Sequence, residues 1–99
     1  RNIFPVIDNF GVLLGVVQLD DLRRDMFNRE KYGNPISHYM IQPPDRILDH
    51  ESIQSVMAKF DDKRTWMLPV VDKQGHYLGF ISKSRILNAY RQQLVKIQQ

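Results

Sequence analysis

The 99-residue sequence contains no cysteine. This single absence excludes disulfide bonds, thiolate nucleophiles and cysteine-based zinc sites, and it agrees with a reducing cellular compartment. Long apolar runs are also missing, since no segment approaches the roughly 20 apolar residues that a membrane-spanning helix needs. With 42% hydrophobic and 25% charged residues, the composition is typical of a globular domain that is large enough to bury a core.

Concentrated charge of one sign is missing as well. The net charge is only +3, and acidic residues are interleaved with the basic ones along the sequence. Nucleic-acid binding usually requires a basic face with groove-reading or base-stacking elements, and no such segment is present. The sequence therefore argues against a nucleic-acid partner, while the charge is compatible with a modest preference for anionic ligands.

The residue patterns that accompany catalysis are absent too. His38, His50 and His76 are isolated, and none has a second histidine or a carboxylate at a helical metal-ligand spacing that forms a recognisable site. There is no Gly-x-Ser-x-Gly elbow, no phosphate-binding loop and no pair of catalytic carboxylates. We therefore expect neither enzymatic activity nor a bound metal from this chain itself.

What the sequence does contain is an internal repeat. Residues 4–17 return as residues 68–81, 64 positions later. Six pairs are identical: Pro5/Pro69, Val6/Val70, Asp8/Asp72, Gly11/Gly75, Leu14/Leu78 and Gly15/Gly79. Because a repeat constrains the architecture before any single motif does, we expect two copies of one unit, packed about a pseudo-two-fold axis with clefts between them.

Hydrophobic patterning predicts the elements of each copy. The predicted organisation is a first repeat at residues 1–30, a linker with a short helix at 31–46, and a second repeat at 47–99. In the first repeat we expect strands over 3–8 and 13–19 and a helix that opens at Asp20-Asp21. In the linker, Asn34 is the expected N-cap of a helix through Met40. In the second repeat we expect strands at 47–48, 66–72 and 77–81, a helix from Asp49 or His50, and a last helix capped by Ser82.

The first copy lacks counterparts of the strand at 47–48 and of the helix that follows it. The apolar face of that helix is Ile53, Val56, Met57 and Phe60, at helical spacing. We therefore expect only the C-terminal part of the first repeat here and an exposed face on its sheet. Because exposed apolar surface tends to be used in assembly, we also expect a homodimer that covers it.

The repeated pattern of Pro-Val-apolar-Asp, a glycine turn, Gly-apolar-apolar and a helix resembles the CBS domain, named after cystathionine β-synthase. This resemblance covers nearly the whole chain. It implies tandem CBS repeats with a mixed α/β fold, each a small sheet packed on two helices. Similar pairs bind adenine nucleotides between their repeats, so the resemblance implies AMP, ADP or ATP as ligand.

The family pattern places a hydroxyl at the helix N-cap and a carboxylate one turn later, and each copy here keeps one of the two. The first copy has Gln18 in place of the hydroxyl and retains Asp21, while the second retains Ser82 and has Arg85 in place of the carboxylate. An arginine cannot accept hydrogen bonds from ribose hydroxyls, but it pairs with phosphate, and Lys83 adds positive potential. The candidate ligand-binding residues are therefore Gln18, Asp21, Ser82, Lys83 and Arg85.

Both helix starts also have an explanation without a ligand. An acid such as Asp21 in the first turn is favoured by the helix macrodipole, and Ser82 is an ordinary N-cap residue. Under this interpretation, the module is a ligand-free dimerisation scaffold.

A second, narrower resemblance is to the C-terminal cytoplasmic region of prokaryotic CLC-type chloride channels and transporters. The matching segments are 1–8, 19–23 with Met26-Phe27, 66–70, 79–86 and 89–91. This resemblance implies a cytoplasmic regulatory module of an inner- or plasma-membrane protein, with the membrane transport domain of the same polypeptide as its partner. A CBS sensor module of another transporter or of an enzyme is the alternative.

Overall fold

The computed structural model describes residues 2–98, and the side chains of residues 2–96. Arg1 and Gln99, the outer ends of the two predicted repeats, lie outside the described residues. The elements in chain order are strand β1 (Ile3–Ile7), strand β2 (Leu13–Gln18), helix α1 (Leu19–Asp25), strand β3 (Ile47–Leu48), helix α2 (Ile53–Lys63), strand β4 (Met67–Val71), strand β5 (Tyr77–Ser82) and helix α3 (Lys83–Gln98). Two 3₁₀ helices, Arg29–Lys31 and Ile36–His38, lie between α1 and β3.

The strands form two small sheets with the same internal register. One sheet is the antiparallel pair β1-β2, and the other has the order β3-β4-β5, with β3 parallel and β5 antiparallel to β4. Pro5 lies opposite Val16 and Pro69 lies opposite Phe80, and each pair of strands has an irregularity one residue further on. The predicted mixed α/β fold with small sheets and helices is confirmed.

The two hairpin turns are built in the same way because an aspartate holds each of them. Asp8 Oδ1 accepts hydrogen bonds from the N–H groups of Phe10 and Val12, at 2.8 and 3.0 Å. In the second turn, Asp72 Oδ1 accepts the equivalent hydrogen bonds from the N–H groups of Gln74 and His76, at 2.9 and 2.8 Å. Gly11 and Gly75 have φ of 84° and 88°, a conformation that glycine adopts without steric cost.

These turns also join the two units. The N–H of Leu13 donates to the carbonyl of Gly75 at 3.0 Å, and the N–H of Tyr77 donates to the carbonyl of Gly11 at 2.9 Å. Leu13 and Tyr77 are counterparts in the repeat, and so are Gly11 and Gly75, so the two hydrogen bonds are equivalent. The pseudo-two-fold axis expected from the repeat therefore passes between the turns.

The main core belongs to the second unit. Its buried side chains are Ile47, Val56, Phe60, Leu68 and Ile86, with Ile53, Met57, Val70 and Ile81 packed against them. The predicted apolar face of α2 is therefore confirmed. Equivalent positions of the two sheets differ in burial. Leu68 is fully buried, whereas its counterpart Phe4 is 43% exposed. Val71 is 4% exposed, whereas its counterpart Ile7 is 49% exposed. The expected exposed face of the first sheet is present.

The start of α2 was predicted wrongly. The helix begins at Ile53, with Ser52 as N-cap accepting from the N–H of Ser55 at 3.2 Å, and not at Asp49 or His50. The reason is that the N–H of Asp49 still donates to the carbonyl of Val71 at 3.1 Å. Sheet pairing therefore holds the chain extended up to this point.

The linker helix is also shorter than predicted. Its 3₁₀ turn covers only Ile36–His38, Pro35 occupies the N-cap position, and Asn34 instead directs its side chain to the hydroxyl of Tyr39 at 3.5 Å. The helix ends before Met40 because Ile41 exchanges two backbone hydrogen bonds of 2.8 Å with Val16 of β2. This linker segment therefore extends the first sheet.

Candidate ligand-binding clefts

The first candidate cleft lies between α1 and the linker and encloses about 360 Å³. It is lined by Asp21, Arg24, Asp25, Lys31, His38, Tyr39 and Ile41. Asp21 is thus on the cleft wall, one turn into the helix that follows β2. The wall opposite it comes from the linker, because the pairing of Ile41 with β2 brings the 3₁₀ turn against α1.

Hydrogen bonds organise the carboxylates of this cleft. Asp21 forms an ion pair with Arg24, which lies one helical turn away. Asp25 accepts a hydrogen bond from the hydroxyl of Tyr39 at 2.7 Å, and this bond raises the pKa of Tyr39. Because a carboxylate has two oxygens with about four acceptor positions, Asp21 keeps acceptors for a ligand while it is paired with Arg24.

Gln18 lies at the junction of β2 and α1 and does not act as a cap. It occupies the N-cap position of α1, is exposed, and makes no side-chain capping hydrogen bond. It lies outside the set of residues that line the first cleft.

The second candidate cleft lies on the strands of the second unit and also encloses about 360 Å³. It is lined by Val70, Leu78, Gly79, Phe80, Ile81 and Arg85. Arg85 is the counterpart of Asp21, 64 positions later, so the two clefts carry opposite charges at equivalent positions. No described acidic side chain pairs with this guanidinium, which leaves it available to an anion.

Ser82 and Lys83, at the start of α3, have other partners. Ser82 Oγ accepts a hydrogen bond from the N–H of Arg85 at 3.2 Å, so the predicted N-cap is confirmed. Lys83 Nζ lies 3.1 Å from the carboxylate of Asp61 and 5.3 Å from the ring centroid of Trp66. The structure therefore brings Arg85 to the second cleft and places Lys83 on the α2 side of the helix, away from it.

Six residues of the first cleft were not identified from the sequence: Arg24, Asp25, Lys31, His38, Tyr39 and Ile41. The spacing of Arg24 from Asp21 is a helical i,i+3 pair, which could have indicated it. Asp25 lies at the end of the same helix. The other four come from the segment between α1 and β3, and no local pattern shows that this segment returns to β2.

Among residues 2–98, no group of three or more histidine, aspartate or glutamate side chains is arranged to hold a metal ion. Within the same residues, no helix has the length and apolar character needed to cross a membrane.

Comparison with known proteins identifies the family. The CBS domain model matches residues 36–92, more than half of the chain, and the chain therefore belongs to the CBS-domain family. No curated protein matches it significantly.

Solved structures with the same fold include complexes with AMP and with c-di-AMP. A structure titled CBSX2 in complex with AMP is 27% identical, with 92% of this chain and 72% of that chain covered and a TM-score of 0.72. CbpB in complex with c-di-AMP is 20% identical over 99% of this chain and 67% of that chain, at a TM-score of 0.77. OpuCA from Staphylococcus aureus is 18% identical over 94% of this chain and 76% of that chain, at a TM-score of 0.74.

Proposed function

We propose that this chain is a regulatory CBS-pair module that binds an adenine nucleotide and performs no catalysis itself. The observation that carries the proposal is that Asp21 and Arg85, which occupy equivalent positions in the two repeats, each line a cleft. The AMP complex of a 27% identical CBS protein and the c-di-AMP complex of a second one support adenine nucleotides as the ligand class.

The two clefts suit different parts of such a ligand. The carboxylate of Asp21 can accept hydrogen bonds from both ribose hydroxyls, and Tyr39 can contribute aromatic surface beside it. In the second cleft, the guanidinium of Arg85 suits a phosphate, with which it forms paired hydrogen bonds. The strand residues Val70 and Ile81 provide apolar surface for a base.

Regulation would follow from the junction between the units. A ligand that binds one arrangement of the two repeats more tightly shifts the population toward that arrangement. The backbone hydrogen bonds between Leu13 and Gly75 and between Tyr77 and Gly11 join the turns of the two units. A rotation of one unit against the other must distort these bonds, so the junction can pass the shift to an attached domain.

The test is isothermal titration calorimetry of AMP, ADP and ATP with the chain and four variants. Asp21→Ala removes the carboxylate of the first cleft, and its control, Asp20→Ala, removes a neighbouring carboxylate that pairs with Arg23 outside the cleft. Arg85→Ala removes the cation of the second cleft, and Arg91→Ala is its control further along α3.

We expect saturable binding to the unchanged chain and to both controls. The cleft variants should bind roughly 10- to 100-fold more weakly, because a hydrogen bond to a charged group contributes about 1.5–3 kcal/mol. Absence of binding at millimolar nucleotide, or equal affinity of cleft and control variants, would contradict the proposal.

We further propose that the module is the cytoplasmic regulatory region of a CLC-type chloride channel or transporter. Support comes from the sequence resemblance over residues 66–70 and 79–86. The full gene product should then contain several apolar segments of about 20 residues. Chloride flux from liposomes containing that protein should respond to nucleotide, and the response should be lost in Asp21→Ala. Chloride flux that does not change with nucleotide, in either the unchanged protein or Asp21→Ala, would contradict this proposal. A gene product without apolar segments of about 20 residues would favour another host protein.

Self-association is the second candidate function, favoured by the exposed apolar side chains of Phe4 and Ile7 on the first sheet. A scaffold of this kind holds two protomers together without a ligand. Sedimentation of the chain should then show a dimer that dissociates in Ile7→Ser. Met26→Ser, also at an exposed apolar position, is the control. A monomer at all concentrations would exclude the scaffold.

A further inference from the structure

The outer edge of β2 shows how this sheet receives an additional strand. Val16 N–H and C=O both point away from β1, since both bond to Ile41 of the linker, and the residue opposite is Pro5, which has no N–H to offer. In an antiparallel pair, residues that do not bond to the partner strand direct their backbone groups outward. Ile41 of the linker takes both groups, with two hydrogen bonds of 2.8 Å.

The residues next to Val16 define what kind of segment fits. A Cβ on Gly15 would lie 2.5 Å from Cγ of Met40, so the glycine makes room for the residue before Ile41. The side-chain amide of Gln42 donates to the carbonyl of Leu14 at 2.8 Å. The segment is therefore an extended Met-Ile-Gln tripeptide held by both its backbone and a side-chain amide.

The edge of β5 has the same construction. Phe80 lies opposite Pro69, as Val16 lies opposite Pro5, so its N–H and C=O also point away from β4. β5 is the edge strand of its sheet, and a Cβ on Gly79, the counterpart of Gly15, would meet no described atom within 4 Å. Leu78, the counterpart of Leu14, is 54% exposed.

We infer that the β5 edge binds an extended peptide segment of the Met-Ile-Gln type, which pairs through its central residue with the backbone of Phe80. This inference does not depend on nucleotide binding. The edge adjoins the second cleft, which Leu78, Gly79 and Phe80 help to line. A bound segment would therefore supply to the second cleft the wall that the linker supplies to the first.

The experiment uses the chain and a synthetic peptide with the sequence of residues 38–44. Amide resonances are followed by ¹H–¹⁵N NMR while the peptide is added. We expect saturable shifts at Gly79 and Phe80, and about tenfold slower hydrogen exchange of the Phe80 amide at saturation, as for one added hydrogen bond. The matched control is the same peptide with its isoleucine nitrogen methylated. Methylation removes one of the two backbone bonds, so this peptide should bind several-fold to about tenfold more weakly.

Four results would overturn the inference. The first is no shift at Phe80 with peptide at millimolar concentration, and the second is equal binding of the methylated peptide. The third is a shift of Phe80 with protein concentration in the absence of peptide, which would assign the edge to a second copy of the chain. Shifts confined to Val16 would show displacement of the linker instead and count against it equally.

Discussion

Val12 and His76 form an isolated antiparallel bridge, and they occupy the same position in repeats that are 64 residues apart. Two equivalent residues can pair in this way only when a two-fold axis passes between them. Their environments differ in one respect, because the ring of His76 adds a hydrogen bond from Nδ1 to Asp72 at 2.9 Å. Desolvation tends to raise the pKa of Asp72, but the hydrogen bonds from the backbone and ring of His76 and from the N–H of Gln74 outweigh it and lower that pKa.

The turn glycines should be sensitive to substitution by alanine. Gly11 and Gly75 have φ above +80°, and a side chain in this region costs about 1–2 kcal/mol. We expect Gly11→Ala and Gly75→Ala each to lower the free energy of unfolding by that amount in urea denaturation. Gly33→Ala is the control, since a Cβ there meets no described atom within 4 Å. An equal free energy of unfolding for all three variants would mean that a Cβ at position 11 or 75 causes no strain in the turn.

The matched core positions should respond differently to truncation. Leu68 is fully buried beneath α2, so Leu68→Ala should destabilise the chain by about 2–5 kcal/mol. Its counterpart Phe4 is 43% exposed, so Phe4→Ala should cost clearly less although it removes more atoms. Thermal unfolding at low protein concentration, where a dimer would dissociate, measures both. A larger loss for Phe4→Ala under these conditions would contradict the partial exposure of Phe4 in the single chain.

Glu51 should make the stability dependent on acid pH. Its side chain is 11% exposed, and its Oε1 accepts from Lys59 Nζ at 2.8 Å and from the N–H of Leu48 at 3.0 Å. Desolvation tends to raise its pKa, but these bonds and one from the Ser55 hydroxyl lower it below the ordinary 4.5. A carboxylate with a lowered pKa in the folded state contributes stability above its unfolded pKa. This contribution is lost as the pH falls through the folded pKa.

Glu51→Gln should therefore be less stable than the unchanged chain near neutral pH, with the difference shrinking below about pH 4. Urea titrations across this range measure the effect. Glu30→Gln is the control, because it makes the same substitution at an exposed position. A constant difference across the range would show that Glu51 acts through packing rather than charge.

Gly15 should be the least tolerant glycine of the first sheet. A Cβ there would lie 2.5 Å from Cγ of Met40 and 2.9 Å from the backbone carbonyl of Ile41, and this carbonyl moves only with the linker. We expect Gly15→Ala to destabilise by about 1–3 kcal/mol and to accelerate hydrogen exchange of the Ile41 amide. Unchanged protection of this amide would mean that the linker accommodates the methyl group in place.

The repeat allowed much of the fold to be predicted. Strands, turn aspartates, turn glycines and the apolar face of α2 follow from local patterns, since alternation, turn chemistry and helical spacing act over a few residues. The predicted start of α2 at Asp49 or His50 failed because it depends on the long-range bond from Asp49 to Val71. The predicted N-cap at Asn34 failed in a similar way, because the path of the linker is set by β2.

For the candidate sites, the sequence by itself determined which residue types lie at the starts of α1 and α3. These are Gln18 and Asp21 in the first copy, and Ser82, Lys83 and Arg85 in the second. The tertiary structure decided which of them lie in a cleft. It separates Arg85 from Lys83, which pairs with Asp61, and it brings Tyr39 to Asp21 through the linker. The physical reason is that side-chain direction depends on how each helix packs. That packing is determined by contacts between residues far apart in the chain.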